Sequence, residues 1–161
     1  MNAGRRGPIL ICYDGSRGAD GVIEFAASTF PGAVCVVLTA WEPYGEPIAG
    51  GESELWPAGH DLPALQVAGR VAAEGCRRAR CAGLDATQLV VEAPHGVTAA
   101  VLDAAEEHDA MIIAVGARGL RSRGRGPLGP VARAVADHAD RPLIVVPPTP
   151  VRAAQHQVTL S

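Results

Sequence analysis

The sequence predicts an α/β fold, a three-layer sandwich in which a five-stranded parallel sheet of order 3-2-1-4-5 carries helices on both faces. Short apolar runs rich in β-branched residues alternate along the chain with longer segments whose apolar residues recur every three or four positions. This alternation is typical of parallel sheets, in which each connection crosses over through a helix. No internal repeat is present and 161 residues suit one domain, so we expect a single domain over 1–148 and a loosely held tail over 149–161.

The first part of the chain supplies two strands and the helix between them. Residues 8–13, PILICY, form an apolar run that ends in the turn Asp14-Gly15-Ser16. Apolar residues at helical spacing from 19 to 30 predict the first helix, which Pro31-Gly32 ends. The run AVCVVLTA, residues 33–40, predicts the second strand.

The middle of the chain contains a long connection, a helix, a strand and another helix. Residues 42–59 are rich in Pro, Gly and Glu without periodicity, which is typical of a lid or a mobile loop. Small or apolar residues at 65, 68, 72, 76 and 79 predict a helix from about Pro63 to Gly83. Residues 87–92 predict the third strand, and an apolar stripe over 97–108 predicts the next helix.

A glycine-rich loop follows the fourth predicted strand, residues 111–115. Its glycines stand at 116, 119, 124, 126 and 129, its arginines at 118, 121, 123 and 125, and a helix over 131–138 comes next. Strand, glycine loop and helix in this order commonly hold phosphate, because glycine lets backbone N–H groups approach an anion and the helix N-terminus adds positive partial charge. The arginines would reinforce an anion site, although a solvated, mobile connection can have the same composition.

Composition and missing motifs exclude several classes of protein. The net charge of -3 and the pI of about 5.9 argue against a nucleic-acid binder. All 14 basic residues are arginines, which excludes a P-loop lysine and Schiff-base chemistry. The sequence also lacks a G-x-S-x-G elbow, a Walker A motif and a positioned nucleophile and base, so we expect no catalytic residues and no enzyme.

The sequence predicts neither a metal site nor a membrane segment. The cysteines at 12, 35, 76 and 81 form no C-x-x-C pair, and the histidines share no ligand spacing. We expect these cysteines to be buried hydrophobes or surface thiols in a reducing compartment. No window resembles a signal peptide or a membrane span, so a cytoplasmic protein is expected.

Four stretches resemble the universal stress protein family. The spacing Gly116-x2-Gly119-x9-Gly129 is similar to that family's nucleotide-binding signature. ICYDGS resembles its first strand with the closing Asp, VVLTAWEP its second strand, and GPVARAVADHADRPLIVVPP its closing helix and strand. The resemblance implies a regulatory protein that binds ATP or another adenine nucleotide, with or without Mg²⁺.

The resemblance also implies roles for the matching residues. Asp14 would lie near the base and ribose, and Ala40 would offer backbone groups to adenine. Val115 would line the base pocket, while Gly116 and Gly119 would pass close to the ribose and α-phosphate. From the residues alone, Asp14 can also be only a turn former or helix cap, and Ala40 only a core residue. Since ligands of parallel sheets bind where the strand order reverses, we expect these positions to lie together.

The end of the glycine loop departs from the family pattern. Gly129 would open the site of the outer phosphates, and Arg118 and Val131 belong to the same predicted nucleotide-binding set. Ser or Thr follows the final glycine in the family's ATP-binding members, whereas Pro130 offers neither a hydroxyl nor an N–H. Pro130 still suits the first position of a helix. The alternatives are a site for AMP or a dinucleotide, or a nucleotide-free dimeric interaction module that has lost phosphate binding.

The last predicted strand consists of Leu143, Ile144, Val145 and Val146 and lies at the edge of the sheet. An edge strand exposes unpaired N–H and C=O groups, and Pro147-Pro148 limits how far any pairing can extend. We therefore expect a homodimer through this strand, as the family resemblance also implies. The alternative is that the tail folds back and covers the edge.

Overall fold

One parallel sheet forms the centre of the computed structural model, which describes residues 7–43, 61–120, 122 and 126–148. Its order is β3-β2-β1-β4-β5, and every neighbouring pair is parallel, as predicted. The predicted tail and nearly all of the predicted connection over 42–59 lie outside the described residues. The strands are β1 (Ile9–Cys12), β2 (Val34–Trp41), β3 (Asp85–Glu92), β4 (Ile112–Gly116) and β5 (Leu143–Val146).

Helices cover both faces of the sheet, which gives the three predicted layers. They are α1 (Arg17–Thr29), α2 (Asp61–Cys81), α3 (Val97–Glu107) and α4 (Pro130–His138). The buried residues of α1 and α2 pack in one core cluster and those of α3 and α4 in another. No helix in the described part of the chain has the length and apolarity to cross a membrane.

Successive residues of the central strands point into opposite core clusters. Ile9 and Ile11 pack toward α1 and α2, whereas Leu10 between them packs toward α3 and α4. Side chains alternate along a strand, so a strand covered on both faces must be apolar throughout. This is why the central strands β1 and β4 are continuous apolar runs whose positions could be predicted from the sequence.

Two sequence predictions need correction in detail. Leu65 was one of the small or apolar residues whose spacing predicted α2, but it is 40% exposed, and among the side chains described in α2 the buried ones begin at Ala68. Leu65 also lies outside the cavity that neighbouring α2 residues line, so it faces neither the core nor the cavity. The third strand begins at Asp85, two residues earlier than predicted, because the Asp85 N–H donates to the Ala33 carbonyl (3.0 Å) and lengthens the ladder.

The N-termini of α1 and α4 are fixed by their N-cap residues. Ser16 is the N-cap of α1, and its hydroxyl oxygen accepts a hydrogen bond from the Ala19 N–H at 3.2 Å. Gly129 is the N-cap of α4 with Pro130 at the first helical position, where a missing N–H costs no intrahelical bond. Both helices therefore begin directly beside the carboxyl edge of the sheet.

Candidate functional site

A cavity of about 520 Å³ opens at the carboxyl edge of the sheet, between the ends of β1 and β4. The strand order reverses at this point, since β1 is followed by β2 on one side and flanked by β4 on the other. Ligands of open α/β sheets bind in this crevice, and the volume lies within the range of small-molecule sites. The strand order itself therefore creates the site.

All nine residues predicted from the sequence line this one cavity: Asp14, Ala40, Val115, Gly116, Arg118, Gly119, Gly129, Pro130 and Val131. They come from the ends of β1, β2 and β4, from the glycine loop and from the first turn of α4. Their convergence is a finding of the structure, and their contact with a nucleotide stays a prediction.

Asp14 connects two distant segments of the chain at the mouth of the cavity. Its Oδ1 accepts a hydrogen bond from the Ser16 N–H (2.9 Å), which forms the turn after β1. Its Oδ2 accepts from the Leu120 N–H (2.9 Å), in the glycine loop. The carboxylate is thus more than a turn former, because it also holds the glycine loop against the end of β1.

The three signature glycines are required for space and not for an unusual backbone conformation, since none of them has a positive φ. A Cβ at Gly116 would lie 3.1 Å from the Gly18 carbonyl carbon, and one at Gly119 would lie 2.5 Å from Asp14 Oδ2. A Cβ at Gly129 would overlap the Ser122 hydroxyl oxygen. Any larger residue at these positions would displace backbone or a fixed side chain.

The described part of the glycine loop is folded onto itself by hydrogen bonds. The Gly119 N–H donates to Ser122 Oγ at 2.9 Å, and the Ser122 N–H donates back to the Gly119 carbonyl at 3.1 Å. The Gly129 N–H donates to the Ala117 carbonyl at 2.6 Å, and the Arg118 guanidinium donates to the Gly126 carbonyl. Ser122 was missed in the sequence analysis because it lies outside the glycine spacing.

The N-terminus of α4 offers two backbone donors to the cavity. The first hydrogen bond of the helix runs from the Arg133 N–H to the Gly129 carbonyl at 3.1 Å. The N–H groups of Val131 and Ala132 precede it and have no acceptor among the described residues, as is usual in the first turn of a helix. Pro130 contributes none, so two donors remain for an anion.

An apolar wall that the sequence analysis did not predict closes one side of the cavity. The first half of α2 supplies it, together with the side chain of Trp41 at the end of β2. A wall of this kind suits a flat aromatic ring. The residues from α2 are Pro63, Ala64, Val67, Ala68 and Val71.

Tyr13 fixes the distance between this wall and β1. The residue is only 4% exposed, its carbonyl accepts from Thr39 Oγ1 (2.9 Å), and its hydroxyl donates to Asp20 Oδ1 (2.9 Å). Burial, followed by the hydrogen bond to Asp20, raises the pKa of Tyr13 to about 12. The ring lies against Gly75 of α2, where a Cβ would come within 2.5 Å of a ring carbon.

Cys12 lines the cavity, and its thiol is not activated. Burial and, after it, the charge of Asp14 raise the pKa of Cys12 to about 12, so its thiol stays neutral and is a poor nucleophile. No histidine is among the described lining residues. The described part of the chain also contains no group of His, Cys, Asp and Glu side chains placed to hold a metal ion.

Comparison with known proteins supports one family. The sequence model described as "Universal stress protein family" matches residues 6–147. No curated protein matches the chain by sequence. Among solved structures, a universal stress protein from Archaeoglobus fulgidus shares 23% identity over 87% of this chain and 93% of its own, with a TM-score of 0.60.

Two further structures of similar fold contain nucleotides. The Archaeoglobus fulgidus protein in complex with dAMP has 23% identity, a TM-score of 0.59 and coverage of 87% of this chain and 97% of its own. A universal stress protein family member from Arabidopsis thaliana with AMP bound has 10% identity, a TM-score of 0.61 and coverage of 89% and 92%. These likenesses show the fold, and the family model spans most of the sequence. The chain belongs to the universal stress protein family.

Proposed function

We propose that this protein binds an adenine nucleotide in the cavity between β1 and β4 and acts as a regulator without turning the nucleotide over. One observation carries the proposal: Asp14 and the glycines at 116, 119 and 129 converge on a cavity that also has an apolar wall. A carboxylate, closely approachable backbone and an apolar wall are what a ribose, a phosphate and a base respectively require.

In this proposal the nucleotide lies in the cavity with its base toward α2 and its phosphate toward α4. The base would lie between the α2 wall and Val115, with the backbone of Ala40 at its edge. The ribose hydroxyls would lie near Asp14, whose ionised carboxylate is an acceptor. The first phosphate would lie beside Gly119 and receive hydrogen bonds from the N–H groups at the start of α4. The dAMP and AMP complexes of family members support an adenine nucleotide as the ligand.

Calorimetry with AMP, ADP and ATP, each with and without Mg²⁺, tests the proposal. Saturable binding of at least one of them with a stoichiometry near one per chain is expected. GMP at the same concentration is the control for non-specific anion binding. Absence of heat and of thermal stabilisation with every adenine nucleotide would reject the proposal, because a ligand that binds the folded state must raise its stability.

A second function is favoured by a specific feature of the site. Pro130 removes a donor from α4, and the N–H groups of Gly119 and Gly129 are already bonded within the protein. In this alternative the protein is a nucleotide-free dimeric interaction module that keeps the fold. The calorimetry separates the two functions, since the module would dimerise and bind no nucleotide.

Dimerisation through β5 is part of the same proposal. The Ile113 N–H donates to the Pro142 carbonyl, and the Ala117 N–H donates to the Val146 carbonyl. Because hydrogen bonds alternate along a strand, the N–H and C=O groups of Leu143 and Val145 point away from β4. Within the described part of the chain they have no partner, so we propose that they pair with the same strand of a second copy, and a cytoplasmic dimer of the domain over 1–148 remains our expectation.

Replacing Val145 with arginine is therefore expected to convert the dimer to a folded monomer, since the charged side chain cannot be buried in an apolar strand pair. Sedimentation velocity at micromolar concentrations measures the change. Val90→Arg, on the opposite edge strand β3, is the matched control and should remain dimeric. If the unmodified protein sediments as a monomer, or if both variants do, the β5 interface is wrong.

A further inference from the structure

The space between Gly119 and Gly129 is occupied by a side chain of the protein itself. Ser122 Oγ accepts the Gly119 N–H at 2.9 Å, and the same oxygen lies where a Cβ of Gly129 would be. From this we infer that the cavity takes an adenine nucleotide with a single phosphate, AMP or a cyclic monophosphate, and discriminates against ADP and ATP. The inference rests on the proposed function and specifies its ligand.

The Ser122 side chain occupies the space that an oxygen of a second phosphate would need. A phosphate cradled by a glycine loop uses the backbone N–H groups that the absent side chains leave accessible. Here the Gly119 N–H is bonded to Ser122, the Leu120 N–H to Asp14 and the Gly129 N–H to Ala117. A second or third phosphate would have to break these bonds before it could form its own.

Among the described residues, the backbone N–H groups that remain without an acceptor suffice for one phosphate. They are the N–H groups of Val131 and Ala132, which lie on the first turn of α4 and have no acceptor among the described residues. Pro130, which precedes them, can donate nothing. Two backbone donors and the helix dipole hold one phosphate, whereas the further charge of a triphosphate would find no additional free backbone donor among the described residues.

The charges around the cavity favour a ligand with few negative charges. Asp14 and Glu42 both line it, and a longer phosphate chain would approach at least the first of them. Arg118 is the one cationic side chain among the described lining residues, and its guanidinium also donates to the Gly126 carbonyl. Each additional phosphate therefore adds repulsion that the described site does not offset.

Calorimetry with AMP, cyclic AMP, ADP and ATP tests the inference on the unmodified protein. At least one of the two monophosphates is expected to bind about tenfold or more tightly than ATP, which corresponds to one lost charge-assisted hydrogen bond. ATP binding as tight as or tighter than both monophosphates overturns the inference and leaves the proposed function standing. If no adenine nucleotide binds, the proposed function fails, and this inference fails with it.

A double variant, Ser122→Ala with Pro130→Ser, tests whether these two residues cause the preference for a monophosphate. Ser122→Ala empties the space beside Gly129, and Pro130→Ser adds an N–H and a hydroxyl next to Gly129, on the side where the outer phosphates would lie. Together they are expected to raise the ratio of ATP to AMP affinity about tenfold. The ratio of the two affinities is unaffected by a general loosening of the loop, because loosening would weaken the binding of both nucleotides.

The control carries the same two chemical changes outside the cavity, as Ser28→Ala and Pro94→Ser. Both residues are exposed or nearly so and neither lines the site. Its ATP-to-AMP ratio should equal that of the unmodified protein. Equal gains for AMP and ATP in the Ser122 and Pro130 double variant, or no gain for ATP, would show that these residues do not exclude the outer phosphates.

Discussion

Gly119→Val is expected to abolish nucleotide binding while the domain stays folded. The added Cβ would lie 2.5 Å from Asp14 Oδ2, so the carboxylate must move and lose the Leu120 N–H. The rest of the valine side chain would enter the space of the first phosphate. Loss of the carboxylate position together with steric exclusion should weaken binding about a hundredfold or more, measurable by calorimetry. The loop lies outside both core clusters, so stability should change little.

The matched control for this variant is Gly126→Val in the same loop. A Cβ at Gly126 meets no atom within 4 Å, and the residue does not line the cavity. It adds the same side chain and the same restriction of the backbone, so it should bind nucleotide nearly as well as the unmodified protein. Unchanged affinity in a folded Gly119→Val protein would show that the nucleotide lies elsewhere.

Gly75→Val should cause a large loss of stability, because position 75 of α2 packs directly against a buried ring. A Cβ there would lie 2.5, 2.8 and 2.9 Å from three carbons of the Tyr13 ring. Tyr13 cannot yield easily, because it is buried and its hydroxyl and carbonyl are both hydrogen-bonded. We expect a fall of about 1–3 kcal/mol in the free energy of unfolding, as for other overpacked cores. Urea denaturation measures it.

Gly69→Val on the same helix is the control. It makes the same change in helix propensity as Gly75→Val but without a steric clash. A Cβ at Gly69 meets no atom within 4 Å, and valine is a better helix former than glycine by a few tenths of a kcal/mol. Gly69→Val should thus be neutral or slightly stabilising. The cost of Gly75→Val should also shrink in a Tyr13→Ala background, as a double-mutant cycle would show. Equal stability of the two valine variants would contradict this role of Gly75.

The order of strands and helices could be predicted from the sequence because each central strand is covered on both faces. Burial on both sides requires a continuous apolar run, and such runs stand out between helical segments. Leu65 was misplaced because its spacing matches the buried stripe of α2. Only the structure shows that Leu65 is 40% exposed, because burial depends on the elements packed around a residue and not on its spacing.

The candidate site was predictable where the chain itself carries the pattern. Asp14 ends an apolar run, and the glycines have a characteristic spacing, so both can be recognised from the sequence alone. The α2 wall was not predictable, because its residues face the cavity only once the helix has packed. Gly75 and Ser122 act through contacts with Tyr13, Gly119 and Gly129, and a sequence does not show which residues are neighbours in space.

The position of β1 in the middle of the sheet has a consequence for biosynthesis. The strands β1, β2 and β3 can assemble in the order in which they leave the ribosome, since each is adjacent to the one before it. The other side of β1 stays uncovered until β4 emerges, and the first turn of α4 comes later still. At ordinary rates of translation this interval lasts on the order of seconds. The cavity between β1 and β4 is therefore completed only when the last part of the domain, from β4 to the first turn of α4, has emerged.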